Sequence, residues 1–380
     1  MKLHGTLLLM LISICANTVS AQQIRRKTHS TIQWIDSTRR FVCPGTYARI
    51  RQMDNGDHIL AYSCWDSGAE IMYCRISKDQ THTWGEKILV SADTGYNDTN
   101  AEIVQLPNGE LLYAWNARPQ HQCKLPFAIR TKRSRDHGLT WTDERTIYEA
   151  DTLFRNGVWE PAMLQLPSGE LQMYISNESP YRQSDEQDIT LLRSFDNGMT
   201  WHDSTRVSFR AGHRDGMPTP LYLKGGYGIV FSIEDQEAHF PHAFHPSIIW
   251  TSVDDNWHSG TVTGDSPKRW RANRRPIPFY VYAGAPYLAQ FPDAETILSC
   301  QSTQGRKKTK GLGVMRVYVG NELAHDFSNG SVPFPSLPSS AEALWNSLTI
   351  LDGNTVIAIS SISGTKPEGI WTVIGKKVKK

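Results

Sequence analysis

The octapeptide Ser194-Phe195-Asp196-Asn197-Gly198-Met199-Thr200-Trp201 returns twice more in recognisable form, as Ser134-Arg135-Asp136-His137-Gly138-Leu139-Thr140-Trp141 and Ser77-Lys78-Asp79-Gln80-Thr81-His82-Thr83-Trp84. A worn copy, Ser252-Val253-Asp254-Asp255-Asn256-Trp257, follows. The leading serines stand 57, 60 and 58 residues apart. A regular period of that size marks stacked supersecondary units. Within each copy the aspartate can accept bonds from the backbone N–H groups of its own turn. The glycine supplies backbone angles that other residues resist. The tryptophan is expected to pack between neighbouring sheets. These aspartates are therefore read as holding turns, with no part in chemistry.

A second repeated element precedes each octapeptide. Alternating apolar strands flank a tight turn at Asp54-Asn55-Gly56-Asp57, Pro107-Asn108-Gly109-Glu110, Pro167-Ser168-Gly169-Glu170 and Lys224-Gly225-Gly226. Weaker versions lie at Pro292-Asp293-Ala294 and Leu351-Asp352-Gly353-Asn354. Gly-containing turns between alternating strands are a strong hairpin signal. Six hairpins predict an all-β fold, a six-bladed β-propeller with four antiparallel strands, A to D, in each blade. The last hairpin is followed by one clear strand, Gly369–Ile374, so the missing outer strand is expected from the amino end near Ser30–Ile35. That closure would leave no free sheet edge.

Topology places the chemistry. The A–B and C–D turns share one face, and the strand-A starts and B–C loops share the other. Counting back nine residues from each turn glycine gives strand-A starts at Tyr47, Asn100, Glu160 and Met217, with Arg49 and Asp215 close by. Counting forward eight gives strand-B ends at Cys64, Ala117, Asn177 and Glu234, next to Trp65, Asp66, Asn116 and Glu178. Carboxylates, amides and arginines are unusual where a strand should offer apolar core, which makes them candidates for a ligand site. Glu160, in Val158-Trp159-Glu160-Pro161, and Glu234, after the apolar Phe231-Ser232-Ile233, come from adjacent blades. Two carboxylic acids across a sugar are the equipment of glycoside hydrolysis, one protonating the leaving oxygen and the other attacking or activating water. Trp159 and a neighbouring carboxylate would raise the pKa of the acid. The bland reading is that each glutamate pairs with an arginine.

The rest of the chain sets bounds. Net charge is +2, which argues against a nucleic-acid binder. The basic runs Arg306–Lys310 and Lys376–Lys380 read as a solvated loop and terminus. A basic start (Met1-Lys2-Leu3-His4), an apolar run from Leu7 to Ile12 and the small-residue site Val19-Ser20-Ala21 predict a secretory leader cut after Ala21. The apolar run is too short to span a bilayer. Cys15 follows the bulky Ile14, against lipid attachment. Residues 22–380 are expected to form one propeller domain, secreted or periplasmic, monomeric and without membrane insertion. The five cysteines left after cleavage form no disulfide framework, although Cys64 and Cys74 fall on one hairpin, where a bridge is feasible. No metal-ligand spacing or phosphate loop is present, so no metal or cofactor is expected.

Gly157-Val158-Trp159-Glu160-Pro161, Leu171–Glu178, Glu186-Gln187-Asp188-Ile189 and Ser194–Trp201 together resemble glycoside hydrolase family 93, the exo-acting α-1,5-L-arabinanases of the sialidase-like superfamily. The resemblance continues through Arg214-Asp215-Gly216-Met217, Phe231–Glu234 and Ala283-Gly284-Ala285-Pro286, and the octapeptide is that superfamily's Asp-box, or BNR repeat. It implies a retaining glycosidase with an arabinan-type saccharide as partner, Glu160 as general acid/base and Glu234 as nucleophile. Asp235 and Glu237 are neighbours that a small misalignment would promote. It also draws Asp188 and Arg214 into the site. Tyr47-Ala48-Arg49-Ile50-Arg51 resembles the first-blade arginine motif of sialidases, although Arg51 stands where proline is expected. A sialidase needs three arginines and a tyrosine nucleophile, for which Arg49, Arg214 and Tyr280 or Tyr282 are the candidates. A propeller that binds glycans without cleaving them is the reading from a different class. Trp65, Trp115, Trp159 and Trp345 would serve as sugar platforms in either case.

Overall fold

The computed structural model describes residues 30–237, 243–306 and 313–379. The leader, Lys307–Lys310 and Lys380 lie outside the described residues. Six antiparallel sheets surround one axis as a six-bladed β-propeller. Blade 1 comprises Thr46–Gln52, His58–Asp66, Ala69–Ser77 and Ile88–Ser91. Blade 2 comprises Tyr96–Gln105, Leu111–Pro119, Ala128–Ser134 and Thr142–Glu149, and blade 3 Val158–Gln165, Leu171–Asn177, Asp188–Ser194 and His202–Ser208. Blade 4 holds His213–Tyr222, Ile229–Glu237, His245–Thr251 and Arg269–Arg271, and blade 5 Ala283–Gln290, Thr296–Ser302, Val314–Gly320 and Ser328–Ser331. Blade 6 takes Glu342–Ile350, Thr355–Ser363 and Gly369–Lys379 from the carboxyl end. Its outer strand, Ser30–Trp34, comes from the amino end and pairs antiparallel with Gly375–Lys379. Trp34 Nε1 then donates to Ser331 Oγ of blade 5 at 3.0 Å, so the closing strand also grips the neighbouring blade.

Apolar burial is divided among the blade interfaces. Six clusters each join two successive blades, and each tryptophan of the repeat packs against the cluster shared with the blade before its own: Trp84 with blade 6, Trp141 with blade 1, Trp201 with blade 2 and Trp257 with blade 3. The turn geometry explains the repeat. Ser194 Oγ accepts the Gly198 N–H at 2.7 Å and donates to Asp196 at 2.8 Å, while Asp196 also accepts the Thr200 N–H at 2.8 Å. Thr81 keeps the same bond to Ser77 at 2.9 Å with a φ of 72°, so the first copy holds its shape without glycine. In the fourth copy the anchor is Asp255, which accepts from Thr251 Oγ1 at 2.8 Å and Ser259 N at 2.7 Å, in place of Asp254 and Ser252. His137 in the second repeat meets Asp54 of the blade 1 turn at 2.8 Å, on the shared turn face.

The opposite face carries a different repetition. Each innermost strand breaks register once, between Thr46/Arg49, Thr99/Glu102, Trp159/Ala162, Gly216/Thr219, Gly284/Tyr287 and Leu344/Ser347. At every break one non-glycine residue is left-handed: Tyr47, Asn100, Glu160, Met217, Ala285 and Trp345, with φ between 43° and 58°. A β-bulge of this kind re-aims a side chain out of the alternating pattern. Holding an L-residue left-handed costs on the order of 1–2 kcal/mol. Pro161, Pro218 and Pro286 follow the bulge in three blades, and proline has no N–H that the broken ladder would strand.

All five cysteines of the described residues are free. Cys64 lies opposite Ile71 and Cys74 opposite Ala61, so the hairpin register keeps the two thiols apart and the feasible bridge does not form.

Candidate active site

The six bulge residues ring the axis. Tyr47, Met217 and Ala285 pack against one another as a small apolar cluster that floors the funnel. Below it, toward the turns, a channel of about 410 Å³ is lined by the lower halves of the inner strands. Glu160 rises from the ring in blade 3, and its side chain keeps 16% of its surface exposed. Burial pushes its carboxyl above the usual range against the opposing pull of Arg118, whose Nη2 lies 3.9 Å from Oε1, and of the Ser176 hydroxyl. Ser176 Oγ also accepts the Met217 N–H at 2.9 Å, which fixes it between blades 3 and 4.

Glu234 lies on strand B of blade 4 opposite Gly216, three residues before the strand ends at Glu237 and not at its end as counted from the turn. Its Oε2 accepts the Ala285 N–H at 2.7 Å. Burial, helped by the Glu160 charge, raises its pKa to about 7 against the opposing pull of the Ala285 amide and Arg214. The cradle excludes larger residues: a Cβ on Gly284 would sit 2.6 Å from Glu234 Oε2 and 2.7 Å from Tyr282 Oη. Strand alternation puts Asp235 on the other side of the sheet, held by Arg269 Nη2 at 2.8 Å and His213 Nδ1 at 2.8 Å. The His213 bond and the Arg269 guanidinium outweigh burial and keep it well below the usual carboxylate range. Asp235 is thus committed to ion pairs, and the Glu237 side chain lies outside the described residues.

The remaining predicted residues divide into groups that face the funnel and groups that support it. Trp159 is buried against Phe127 and Phe154 and donates Nε1–H to Glu178 at 2.9 Å. Glu178 is further held by Arg214, which also lies close enough to draw down the pKa of both Glu160 and Glu234. Asn100 accepts from Arg118, and Asn116 takes a second Arg118 bond at 2.7 Å. Asn116 is fully buried and donates to Val158 O at 2.7 Å, so it positions the start of blade 3 and not a ligand. Tyr282 Oη accepts from Gln301 beside Glu234. Trp65 and Trp345 stand at the rim, 68% and 36% exposed. Asp66 is bound to Tyr73 and Lys87 beneath Trp65. Trp115 is fully buried between blades 1 and 2 and offers no platform. Tyr280 is exposed, with its ring edge-on to Phe279.

Three further predicted residues do not reach the funnel. Asp215 is fully buried, with both oxygens held by Arg269 at 2.7 Å. Asp188 accepts from Tyr181 and Thr190 at 2.7 Å behind blade 3, where burial raises its pKa to about 6. Arg49 lies in the wall below the ring, over the Tyr47 and Tyr287 rings and 3.6 Å from Glu102. Sequence reasoning missed Arg118, Ser176 and the Ala285 amide. Arg118 falls one residue beyond the counted strand end, because that strand runs on to Pro119. Ser176 and the Ala285 amide carry no signal of their own, since serines recur in many of the strands and backbone N–H groups in all of them.

The model of the BNR repeat-like domain family matches residues 109–221. No curated protein sequence matches the chain. Among solved structures, an α-L-arabinofuranosidase of Fusarium graminearum in complex with an iminosugar inhibitor superposes with a TM-score of 0.67 at 17% identity, covering 92% of this chain and 97% of that one. A Penicillium chrysogenum α-L-arabinanase complexed with arabinobiose gives 0.66 at 17% identity, over 90% and 94% of the two chains. A Trypanosoma rangeli sialidase bound to an inhibitor gives 0.56 at 11% identity, over 89% and 55%. At these identities the likeness establishes the shared propeller fold.

Proposed function

We propose that this chain is a secreted, retaining glycoside hydrolase, exo-acting on an α-L-arabinan-type glycan, with Glu160 and Glu234 as its catalytic pair. The observation that carries the reading is the state of those carboxyls: both are driven toward the neutral form in one funnel, and Glu160 raises the pKa of Glu234. Interacting acids of this kind titrate as a pair, which holds a single proton over an interval of pH. Glu234 is itself raised to about 7, so the reactive form of the pair is the one in which Glu234 is ionised and the proton sits on Glu160. The glycosidic oxygen takes that proton as its bond to the anomeric carbon breaks, and Glu234 forms the new bond to that carbon. Water then attacks the anomeric carbon, gives its proton to Glu160 and releases Glu234, restoring both groups. Arg118 and Arg214 flank the pair and temper the build-up of negative charge. The arabinan preference rests on the sequence resemblance and on what the Fusarium and Penicillium proteins are described as.

A sialidase is the second reading, and one juxtaposition favours it: the Tyr282 hydroxyl and Glu234 flank Gly284 from the same side, as a tyrosine nucleophile and its supporting base would. Against it, Arg49 is occupied in the channel wall. The test is release of product from arabinan, an aryl α-L-arabinofuranoside and a sialyl-conjugate by the purified protein. Turnover of the arabinosides is expected, and cleavage of the sialyl-conjugate alone would refute the leading reading. Sugar binding with no turnover of any of them would leave a glycan-binding propeller.

A further inference from the structure

The mouth face carries a second cavity beside the funnel. Between blades 6 and 1, on the same face, lies a groove of about 390 Å³ lined by Trp65, Trp345, Glu70, Glu342 and Glu368 over a floor of Ser361 and Ile362. Trp345 joins the two spaces. It is the blade 6 member of the bulge ring, its N–H is fixed to Gln301 Oε1 at 2.8 Å, and its ring stands 6.0 Å from that of Tyr47 on the funnel floor. Trp65 stands on the far wall, 68% exposed, and its indole N–H has no partner among the described residues. An exposed tryptophan of that size wastes apolar surface in water unless something covers it.

The polar lining is one-sided. Glu70 accepts from Ser63 Oγ at 2.6 Å, Glu342 from Ser363 Oγ at 3.2 Å and Glu368 from the Gly364 N–H at 3.1 Å. Among the described residues none of the three forms an ion pair, and no lysine, arginine or histidine lines the groove. Three acceptor carboxylates suit the hydroxyls of a neutral sugar, which can donate to them. They repel a carboxylated or sulfated chain.

We propose that this groove binds the continuation of a neutral glycan chain whose end lies in the funnel, with Trp65 and Trp345 as successive stacking platforms. The blade 6–blade 1 side is then the polymer side of the site, and its charge selects against acidic polysaccharides. The proposal rests on the glycosidase reading for the direction of the chain, and the two fail differently.

The experiment measures binding by calorimetry to the full chain carrying Glu160→Gln, with neutral arabinan, galactan and xylan oligomers of two to six units and with carboxymethylated counterparts. At least one neutral series is expected to bind more tightly as it lengthens. Adding Trp65→Ala should weaken the longest oligomer of that series about tenfold, the scale of one lost aromatic contact. The shortest oligomer should bind as before. With Glu160 restored, Trp65→Ala should raise KM on the polymer by more than it raises KM on the aryl glycoside. Length-independent affinity, an indifferent Trp65→Ala or equal binding of the carboxymethylated chains would overturn the groove. Failure to turn over the aryl α-L-arabinofuranoside would sink the arabinanase reading without touching the binding result.

Discussion

The two faces of this ring repeat in opposite ways. The turn face repeats residues: serine, aspartate and tryptophan recur at a fixed spacing, because each copy solves one problem of folding a turn against the blade before it. The mouth repeats a backbone conformation and varies the residue. Six bulges hold tyrosine, asparagine, glutamate, methionine, alanine and tryptophan left-handed at equivalent positions. Six equivalent strained positions with six different side chains form a scaffold on which one asymmetric site can be built. Strain of this kind clusters at functional sites.

Substitutions that separate activity from stability should break that contrast or sharpen it. The largest effect is expected at Glu160 and Glu234: glutamine at either should lower kcat/KM by roughly 10³-fold or more, the scale of losing the acid/base or the nucleophile. Thermal stability should hold or rise, since the neutral isostere removes a carboxylate that burial opposes. Azide added to Glu234→Gly should restore part of the turnover. An activity loss that tracks unfolding in a melting curve would erase the distinction between the faces. Asp196→Ala should do the reverse. Loss of its bonds to Ser194 and Thr200 should cost about 1–2 kcal/mol in a denaturant titration, with kcat unchanged.

The pH dependence of stability separates the faces by sign. Asp196 is lowered from 3.8 to about 2, mainly by bonds to Thr200 and Ser194 that outweigh burial, so its contribution is present above pH 3.8 and is lost as pH falls through 2. Glu234 is raised from 4.5 to about 7, so its contribution is full below pH 4.5 and is lost as pH rises through 7. Asp196→Asn should flatten the acid limb of a stability profile, and Glu234→Gln the neutral limb. The smallest expected effect is at Ser176. Ser176→Ala removes a bond that favours ionised Glu160, so the basic limb of the pH–rate profile should move upward, with a loss of about tenfold in kcat. An unmoved limb would detach Ser176 from Glu160.

The contrast also explains what was legible in the sequence. The repeated turn residues fix the period, and nine residues back from each turn glycine lands on the bulge itself at Tyr47, Asn100, Glu160 and Met217. The same count from the weaker turns, at Ala294 and Asn354, reaches Ala285 and Trp345. Whether a nearby polar residue faces the funnel or the wall was not legible, because a bulge shifts the alternation that the count relies on. Arg49 and Asp215 flank bulges and both turn away, Asp215 toward Arg269 in an outer strand whose three residues carry no pattern. Arg118 was lost to a strand that continues past the expected end. Tyr282 drew attention through its type, but its place beside Glu234 depends on how blades 4 and 5 dock.

The claim that Glu234 attacks the sugar is tested most directly by trapping the covalent intermediate. A 2-deoxy-2-fluoro-arabinosyl fluoride should inactivate the protein and add one glycosyl mass, and peptide mapping should place it on Glu234. A label on Tyr282, or turnover of the arabinoside with inversion and no labelled protein, would contradict the account.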